Sequence, residues 1–219
     1  MTLSTPPVQN NARQRPWPMI SAIPVVILDE FLLPQELAEL LRFTLQSTHL
    51  FAKSEVIRHD GVIEIDGEHR RSRVLFDLGP FHDLFRMPLL TFLPYVLARL
   101  GTTRFPVTSV EIQLTATNHQ EFFRAHSDNI TEGTLGRQLT FVYFFHREPR
   151  RFSGGELRIF DTETSPRPSN TPALYRLVYP LQNQVVFFPS AYLHEILPVI
   201  CPSRQFADSR FTVNGWYHK

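Results

Sequence analysis

The sequence predicts a mainly β fold of the α+β class, in which helices come first and a β core follows. Three observations support this prediction. From about residue 108 onward, short apolar runs alternate with turn residues, which is typical of an all-β sandwich or barrel. The 219 residues include 19 Phe and 18 Pro, which suit a sheet-rich core with many loops. Before that point, leucines instead recur at helical spacing.

The domain organisation follows from length and composition. A chain of 219 residues suits one substantial domain. Residues 1–18 are polar and contain several prolines and asparagines, so we expect a flexible tail there. Residues 19–219 are predicted to form the single domain, with a helical N-terminal part at 19–105 and the β core at 106–219.

The N-terminal part opens with an apolar strand candidate at residues 24–28. We expect a support helix next, packed on a sheet, because four leucines recur at helical spacing with charged residues between them: Leu37, Leu40, Leu41 and Leu45. Residues 81–100 are also helix-like, but Pro88 and Pro94 should kink or restart that helix.

The β core contains a series of strand candidates. Each is a short run of apolar, aromatic or β-branched residues bounded by turn residues. They lie at residues 139–145, 155–160, 174–178, 184–188 and 210–216. The third and fourth of these are expected to pair with each other around Gln182-Asn183.

Charge and composition exclude several classes of partner. The net charge of +1 gives no reason to expect nucleic-acid or membrane binding. No run approaches a membrane span, and the polar N-terminus lacks the apolar core of a signal peptide. The single cysteine, Cys201, cannot form an intrachain disulfide, which fits a reducing compartment. We therefore expect a cytoplasmic protein.

The residues that carry chemistry begin with His126-Ser127-Asp128. In an extended chain the outer two side chains point to the same side, so both can reach one ion. His194 follows an apolar run that should be a buried strand. Two imidazoles and one carboxylate can hold one face of a ferrous ion and leave its other positions open. For each residue taken alone, a solvated loop or a packed core histidine remains the competing interpretation.

The last strand candidate places polar residues on one face. Arg210 and Thr212 share that face with Asn214 and Trp216, because side chains alternate along a strand. If this face points inward, Arg210 needs an anion to offset its desolvation. A carboxylate fits a planar guanidinium through two parallel hydrogen bonds. The alternative is that the face is exposed to solvent.

Taken in order, these segments resemble the prolyl-4-hydroxylase-like branch of the iron(II)- and 2-oxoglutarate-dependent dioxygenases. The resemblance covers about residues 108–218, half of the chain. It is carried by the segment around His126, the strand from Leu139, the turn Gly154-Gly155-Glu156-Leu157, the runs 187–190 and 194–199, and the closing strand from Arg210 to Trp216.

This resemblance implies a double-stranded β-helix, a jelly roll of the cupin type, with iron at its open end. It implies His126, Asp128 and His194 as the metal ligands. It also implies 2-oxoglutarate and O2 as cosubstrates, with ascorbate as a candidate reductant. Arg210 would pair with the far carboxylate of 2-oxoglutarate. Because Asp128 is present, the resemblance favours hydroxylation over halogenation.

Two departures from the family's pattern leave the 2-oxoglutarate contacts open. The family's arginine usually follows the distal histidine at the offset of Arg204, whereas Arg210 stands before Trp216 as in the family's closing strand. We prefer Arg210 and keep Arg204 as the alternative. The family also often has a tyrosine before its first histidine. No tyrosine stands there in this sequence, so the hydroxyl partner is expected to be Tyr143 or Thr212.

The leading prediction is a hydroxylase acting on an unactivated C–H bond of a prolyl or peptidyl, amino-acid or small-metabolite substrate, with succinate and CO2 as coproducts. A natural-product tailoring oxygenase is a second enzymatic hypothesis, since a fold is a poor guide to substrate. The third hypothesis is a non-catalytic metal-binding β-barrel, such as a sensor or binding protein. Arg210 and Thr212 discriminate against it, because a simple metal-binding barrel needs no anion receptor beside the metal.

Overall fold

The structure, a computed structural model, describes residues 23–57, 61–161 and 174–219. The predicted tail at residues 1–18 lies outside these ranges. Within them the helices are α1 (Pro34–Gln46) and α2 (Phe81–Leu100). The strands in chain order are β1 (Val26–Leu28), β2 (Ala52–Lys53), β3 (Val56–Ile57), β4 (Ile63–Glu64), β5 (Arg70–Arg71), β6 (Arg73–Leu75), β7 (Ser109–Thr117), β8 (Phe122–His126), β9 (Arg137–Phe145), β10 (Ser153–Gly154), β11 (Leu157–Phe160), β12 (Tyr175–Val178), β13 (Gln184–Pro189), β14 (His194–Ile196), β15 (Val199–Ile200) and β16 (Arg210–His218).

Two antiparallel sheets form the β core. The major sheet has seven strands in the order β1-β13-β9-β16-β7-β6-β2, and the minor sheet has five in the order β12-β11-β14-β8-β5. Consecutive strands of the core repeatedly change sheet, as in a jelly roll: β8 and β11 are in the minor sheet, while β7 and β9 are in the major one. The predicted fold class, a double-stranded β-helix with N-terminal helices, is confirmed.

The major sheet buries both of its faces. One face packs against the helices through a large cluster that includes Leu40 of α1 and Phe85 of α2. The other face packs against the minor sheet through a smaller cluster that includes Phe144 and Leu157. Alternation along β9 assigns each residue to a face: Phe141, Tyr143 and Phe145 face the helices, and Val142 and Phe144 face the minor sheet.

The helix predicted from the leucine spacing is present, whereas the prolines do not restart the second helix. α1 covers the predicted leucines and begins at Pro34, a position that suits proline. α2 runs without a break through Pro88 and Pro94, so the expected restart does not occur. Its buried face, which includes Phe85 and Leu89, supplies the tertiary packing that stabilises a helix more than local propensity does. No helix in the described ranges is both long and apolar enough to cross a membrane.

Two further predictions about the fold need correction. The segments 174–178 and 184–188 do not pair, because β12 lies at the edge of the minor sheet beside β11 while β13 lies in the major sheet beside β9. The N-terminal part is not only helical. The strand expected at residues 24–28 is present as β1 in the major sheet, and this part also contributes β2 and β6 to the major sheet and β5 to the minor sheet.

Candidate metal centre

The three predicted metal ligands meet where two strands of the minor sheet lie side by side. β8 ends at His126 and β14 begins at His194, and these residues are direct partners in the antiparallel pair. The backbone N–H of Asp128 donates to the carbonyl of Ser190 at 3.0 Å, which fixes the following loop. Nε2 of His126 lies 3.6 Å from Oδ1 of Asp128, and Nε2 of His194 lies 3.5 Å from Oδ2. The structure therefore brings the three side chains into one cluster.

Backbone carbonyls orient both imidazoles. Nδ1 of His126 lies 2.8 Å from the carbonyl oxygen of Arg124, and Nδ1 of His194 lies 2.9 Å from that of Tyr192. Because a carbonyl oxygen only accepts, each Nδ1 carries the proton and each Nε2 presents a lone pair to the cluster. This is the tautomer that can bind a metal through Nε2, and such partners keep a ligating ring in place.

Burial and mutual proximity set the protonation of the cluster. Burial, followed by the proximity of His194, lowers the pKa of His126 to about 3, so its imidazole is neutral at physiological pH. Burial alone would raise the pKa of Asp128, but His194 and His126 hold it below its usual value. The hydroxyl of Thr140 also donates to Oδ2 of Asp128 at 2.7 Å. A neutral imidazole and a carboxylate are the forms that ligate a metal.

We expect the metal-free protein to lose stability as the pH falls from 6.5, the usual pKa of histidine, towards 4. In this window unfolded His126 takes up a proton and folded His126 does not, so acid favours the unfolded state. The free energy of unfolding should fall by up to about 2 kcal/mol between pH 7 and pH 5, as urea titrations can measure. His126→Asn should show a smaller fall. An unchanged pH dependence in His126→Asn would contradict this account.

The cluster opens into an inner cavity between the two sheets. Arg210 lines this cavity together with Thr212, Asn214 and Trp216, the residues predicted to share a face. The side chain of Arg210 is 2% exposed, and its Nε and Nη2 have no hydrogen-bond partner among the described residues. Burial, partly offset by Glu156, lowers the pKa of Arg210 to about 9, so the guanidinium is still charged at neutral pH. A buried cation with free donors is suited to binding an anion.

Gly155 leaves the room that Arg210 occupies. Its φ is +71°, and a Cβ at this position would lie 2.6 Å from Cδ of Arg210 and 2.8 Å from Cγ2 of Val199. Any larger residue would have to move the arginine or the strand that carries Val199. The glycine turn before β11 thus sets the depth of the guanidinium in the cavity.

The other residues predicted for the site are divided between two places. Thr212 is buried and lines the inner cavity. Arg204 is exposed and does not line it. Tyr143 is buried on the helix side of β9, where its hydroxyl donates to Oδ1 of Asn183 at 2.9 Å. The expectation that Tyr143 faces the cavity is therefore wrong, because its position along the strand turns it to the opposite face of the sheet.

The sequence reasoning missed Arg70, which lines the inner cavity from β5. Its guanidinium carbon lies 4.7 Å from the centre of the Phe123 ring, and that ring stacks on His126 at 3.5 Å between centroids. Burial, partly offset by Asp128, lowers the pKa of Arg70 to about 10. No signal in the sequence marks this residue, because the arginine-rich run 70–73 reads as an ordinary charged segment.

Beyond the cluster the inner cavity continues into a larger outer cleft. Arg70, Phe123, His126, Asp128 and Trp216 line both spaces. The cleft is also lined by exposed apolar side chains, namely Ile57, Ile63, Phe76 and Ile130. The cluster therefore lies at the junction of the small inner cavity, which contains Arg210, and the larger outer cleft.

Comparison with known proteins identifies the β core. Residues 112–218, which include the three clustered side chains and Arg210, match the family model of the 2OG-Fe(II) oxygenase superfamily. Over these residues, just under half of the chain, the β core is similar to that superfamily. The chain is also 38% identical over 194 residues to an uncharacterized PKHD-type hydroxylase of Synechocystis sp.. This alignment covers 88% of the chain but only 62% of the relative, so the chain spans less than two thirds of that protein's length.

Solved structures of 2OG-Fe(II) oxygenases share the fold. A prolyl-4-hydroxylase of Pseudomonas putida superposes with a TM-score of 0.64 at 16% identity, covering 90% of this chain and 92% of its own. A prolyl hydroxylase of Trichoplax adhaerens, solved with a hypoxia inducible factor peptide, gives a TM-score of 0.62 at 16% identity, with coverages of 90% and 84%. The chain therefore has the same jelly-roll core as these enzymes.

The cluster and cavity fit the iron and 2-oxoglutarate that the superfamily implies. The candidate ligand atoms of His126, Asp128 and His194 lie within 4.8 Å of one another, close enough to share one ion. Two imidazoles and a carboxylate are the donor set of non-haem iron(II) oxygenases. The unpartnered nitrogens of Arg210 provide for a carboxylate in the same cavity.

Proposed function

We propose that this protein is an iron(II)- and 2-oxoglutarate-dependent dioxygenase that hydroxylates an unactivated C–H bond. The observation that carries the proposal is Arg210, a buried guanidinium with two unpartnered nitrogens in the same cavity as the His–Asp–His cluster. A metal site alone does not require it. An unpaired buried charge destabilises a protein, so its presence is best explained by an anion that binds there.

Each residue has a distinct role in this proposal. His126, Asp128 and His194 would hold the iron from one side, with Thr140 fixing the carboxylate. Arg210 would take the far carboxylate of 2-oxoglutarate through a two-pronged hydrogen bond, and the Thr212 hydroxyl lies on the same face. Iron with 2-oxoglutarate and O2 would supply the oxidising power, producing succinate and CO2.

Apolar side chains form part of the wall of the inner cavity. Val142, Leu157 and Ile196 line it, and the first two are fully or almost fully buried. With a cosubstrate bound, this wall would limit the access of water and so strengthen the electrostatic attraction between Arg210 and a carboxylate. It would also limit competition by bulk water at a bound metal.

The outer cleft is the proposed substrate site, because it reaches the cluster from the open side. We infer a prolyl or peptidyl, amino-acid or small-metabolite substrate. The likeness to prolyl hydroxylases supports a prolyl group, and the Trichoplax enzyme was solved with a peptide. Ascorbate, which the resemblance to the dioxygenase family implies, remains the candidate reductant.

The experiment that tests this function combines binding with turnover. Iron-loaded protein should develop a visible charge-transfer band when 2-oxoglutarate is added without oxygen. Oxygen should then yield succinate, and zinc-loaded protein should yield none. An iron-loaded protein with neither the band nor affinity for 2-oxoglutarate would instead support the non-catalytic metal-binding barrel.

Gly155→Ala is expected to weaken 2-oxoglutarate binding without changing iron affinity. The added methyl group would displace Arg210, and a misplacement of this kind can cost roughly 10- to 100-fold. The positive φ should also cost about 1–3 kcal/mol of stability. Titrations of the visible band measure the first effect. Gly133→Ala is the matched control, since a Cβ there meets no atom within 4 Å. Equal 2-oxoglutarate affinity in both variants would contradict the assignment.

A further inference from the structure

Arg70 is a second cation beside the His–Asp–His cluster, and the proposed function assigns it no role. It lies on β5, the edge strand of the minor sheet, directly opposite Phe123 of β8. Its guanidinium covers one part of the Phe123 ring, and that ring stacks almost parallel to the imidazole of His126, at 18°. Because Arg70 lines both the inner cavity and the outer cleft, it stands at the junction between them.

Among the residues that the structure describes, Arg70 has only neutral hydrogen-bond partners. Nε donates to Oγ of Ser72 at 3.1 Å, and Nη1 donates to the carbonyl oxygen of Glu55 at 3.1 Å. Within the described ranges no carboxylate forms an ion pair with Arg70, and Nη2 donates to no protein atom. Ser72 and Glu55 therefore fix the direction of the side chain and leave part of its donor capacity free, and its charge is offset only in part, by Asp128.

The charges of the cosubstrate do not account for this arginine. 2-Oxoglutarate carries two carboxylates. In the proposed function the far carboxylate would pair with Arg210, and the near carboxylate would bind the iron that Asp128 also binds. No carboxylate remains for Arg70. A half-buried guanidinium with free donors next to an oxidation site is suited to binding an anion from another molecule.

We propose that Arg70 binds the carboxylate of the primary substrate, so that the substrate is an organic acid oxidised close to its carboxylate. The exposed apolar side chains of Ile57, Ile63 and Phe76 along the cleft would contact the rest of an apolar body. Besides Asp128, three acidic residues line the cleft. Glu55 is exposed, Oδ1 of Asp66 accepts the backbone N–H of Glu68 at 2.9 Å, and Glu111 is paired with Arg137 at 2.8 Å. Within the described ranges none of the three forms an ion pair with Arg70.

The inference rests on the proposed function and narrows its substrate class to acids. The test uses iron-loaded full-length protein with saturating 2-oxoglutarate. Straight-chain alkanoic acids and N-acetylated apolar amino acids are supplied, each beside its primary amide. At least one acid should stimulate oxygen-dependent succinate formation, and its amide should not. Replacing the charged partner removes a buried charge-assisted contact, so Arg70→Gln should raise the KM for that acid roughly 30-fold or more.

The control variant comes from the adjacent residue. Arg71 is exposed and is held by Glu68 and the carbonyl of Gly67, so Arg71→Gln should keep the wild-type KM. The affinity of iron-loaded protein for 2-oxoglutarate, read from the visible band, should stay within about twofold in Arg70→Gln, because the proposal gives that residue no role in cosubstrate binding. Arg70→Lys should recover only part of the loss, since an ammonium lacks the fork of the guanidinium.

The outcomes separate the two proposals. If the wild-type protein binds 2-oxoglutarate but no acid exceeds its amide, the carboxylate assignment is overturned and the proposed function stands. If Arg70→Gln mainly weakens 2-oxoglutarate binding, Arg70 belongs to the cosubstrate and the assignment is likewise overturned. If the wild-type protein does not bind 2-oxoglutarate at all, both proposals fail.

Discussion

His194→Ala is expected to weaken iron(II) binding by more than roughly 100-fold and to abolish succinate formation, because even the loss of an outer partner of a metal ligand costs 10- to 100-fold. His194 is 5% exposed, and its Nε2 already points at Asp128. The variant would leave one imidazole and one carboxylate, which cannot hold one face of the ion. Anaerobic titration with iron(II) against a competing chelator measures the affinity.

The matched control for this prediction is His49→Ala. His49 is exposed in the turn after α1 and lies outside the cavity, so its loss should leave iron binding unchanged. Urea unfolding of both metal-free variants checks that any loss of iron binding is not a loss of the fold. A folded His194→Ala protein that retains one tight iron per chain would show that the cluster is not the metal site.

The sequence was sufficient for the elements whose periodicity is unambiguous. The alternation in β16 is strict, so Arg210 and Thr212 could be placed on one face from the sequence, although whether that face pointed inward or to solvent was left open. That His126 and Asp128 can reach one ion could be predicted for the same reason, since side chains two residues apart point to the same side of an extended chain. His194 could be placed just past a buried strand, β13, because the run before it is apolar.

Long-range pairing was beyond local pattern reading. The segments that became β12 and β13 look like a hairpin, since a turn separates two strand candidates. In the jelly roll, however, the chain crosses from one sheet to the other at this turn. β12 pairs with the preceding strand, β11, and β13 pairs with the more distant strands β9 and β1. A turn sequence alone does not distinguish a hairpin from such a crossing.

Tyr143 and Arg70 show two different limits. Tyr143 was misassigned although its strand was correct, because the face of β9 that meets the cavity depends on its register with β16, where Tyr143 lies opposite Val213. Val213 faces the helices, and so does Tyr143. Arg70 was missed because β5 has only two residues, too few to show any periodicity. It reaches the site only through the pairing of β5 with β8.

Arg210→Met is expected to raise the dissociation constant for 2-oxoglutarate roughly 30-fold or more, while iron(II) affinity changes little. Removing one partner of a buried, hydrogen-bonded charge pair costs about 2–5 kcal/mol. The same change should leave the metal-free protein at least as stable as the wild type. The wild-type guanidinium is buried with Nε and Nη2 unpartnered, and an apolar side chain of similar length carries no such desolvation cost.

Arg204→Met is the control that separates the two candidate arginines. Arg204 is exposed and does not line the inner cavity, so its replacement should change neither 2-oxoglutarate affinity nor stability measurably. The visible band measures the first quantity and urea unfolding of the metal-free protein the second. If Arg204→Met lost affinity while Arg210→Met kept it, the cosubstrate arginine would be Arg204. If Arg210→Met loses affinity for 2-oxoglutarate and keeps its stability, the buried charge of Arg210 favours binding of the cosubstrate and destabilises the protein without it. This is expected of a preformed anion site.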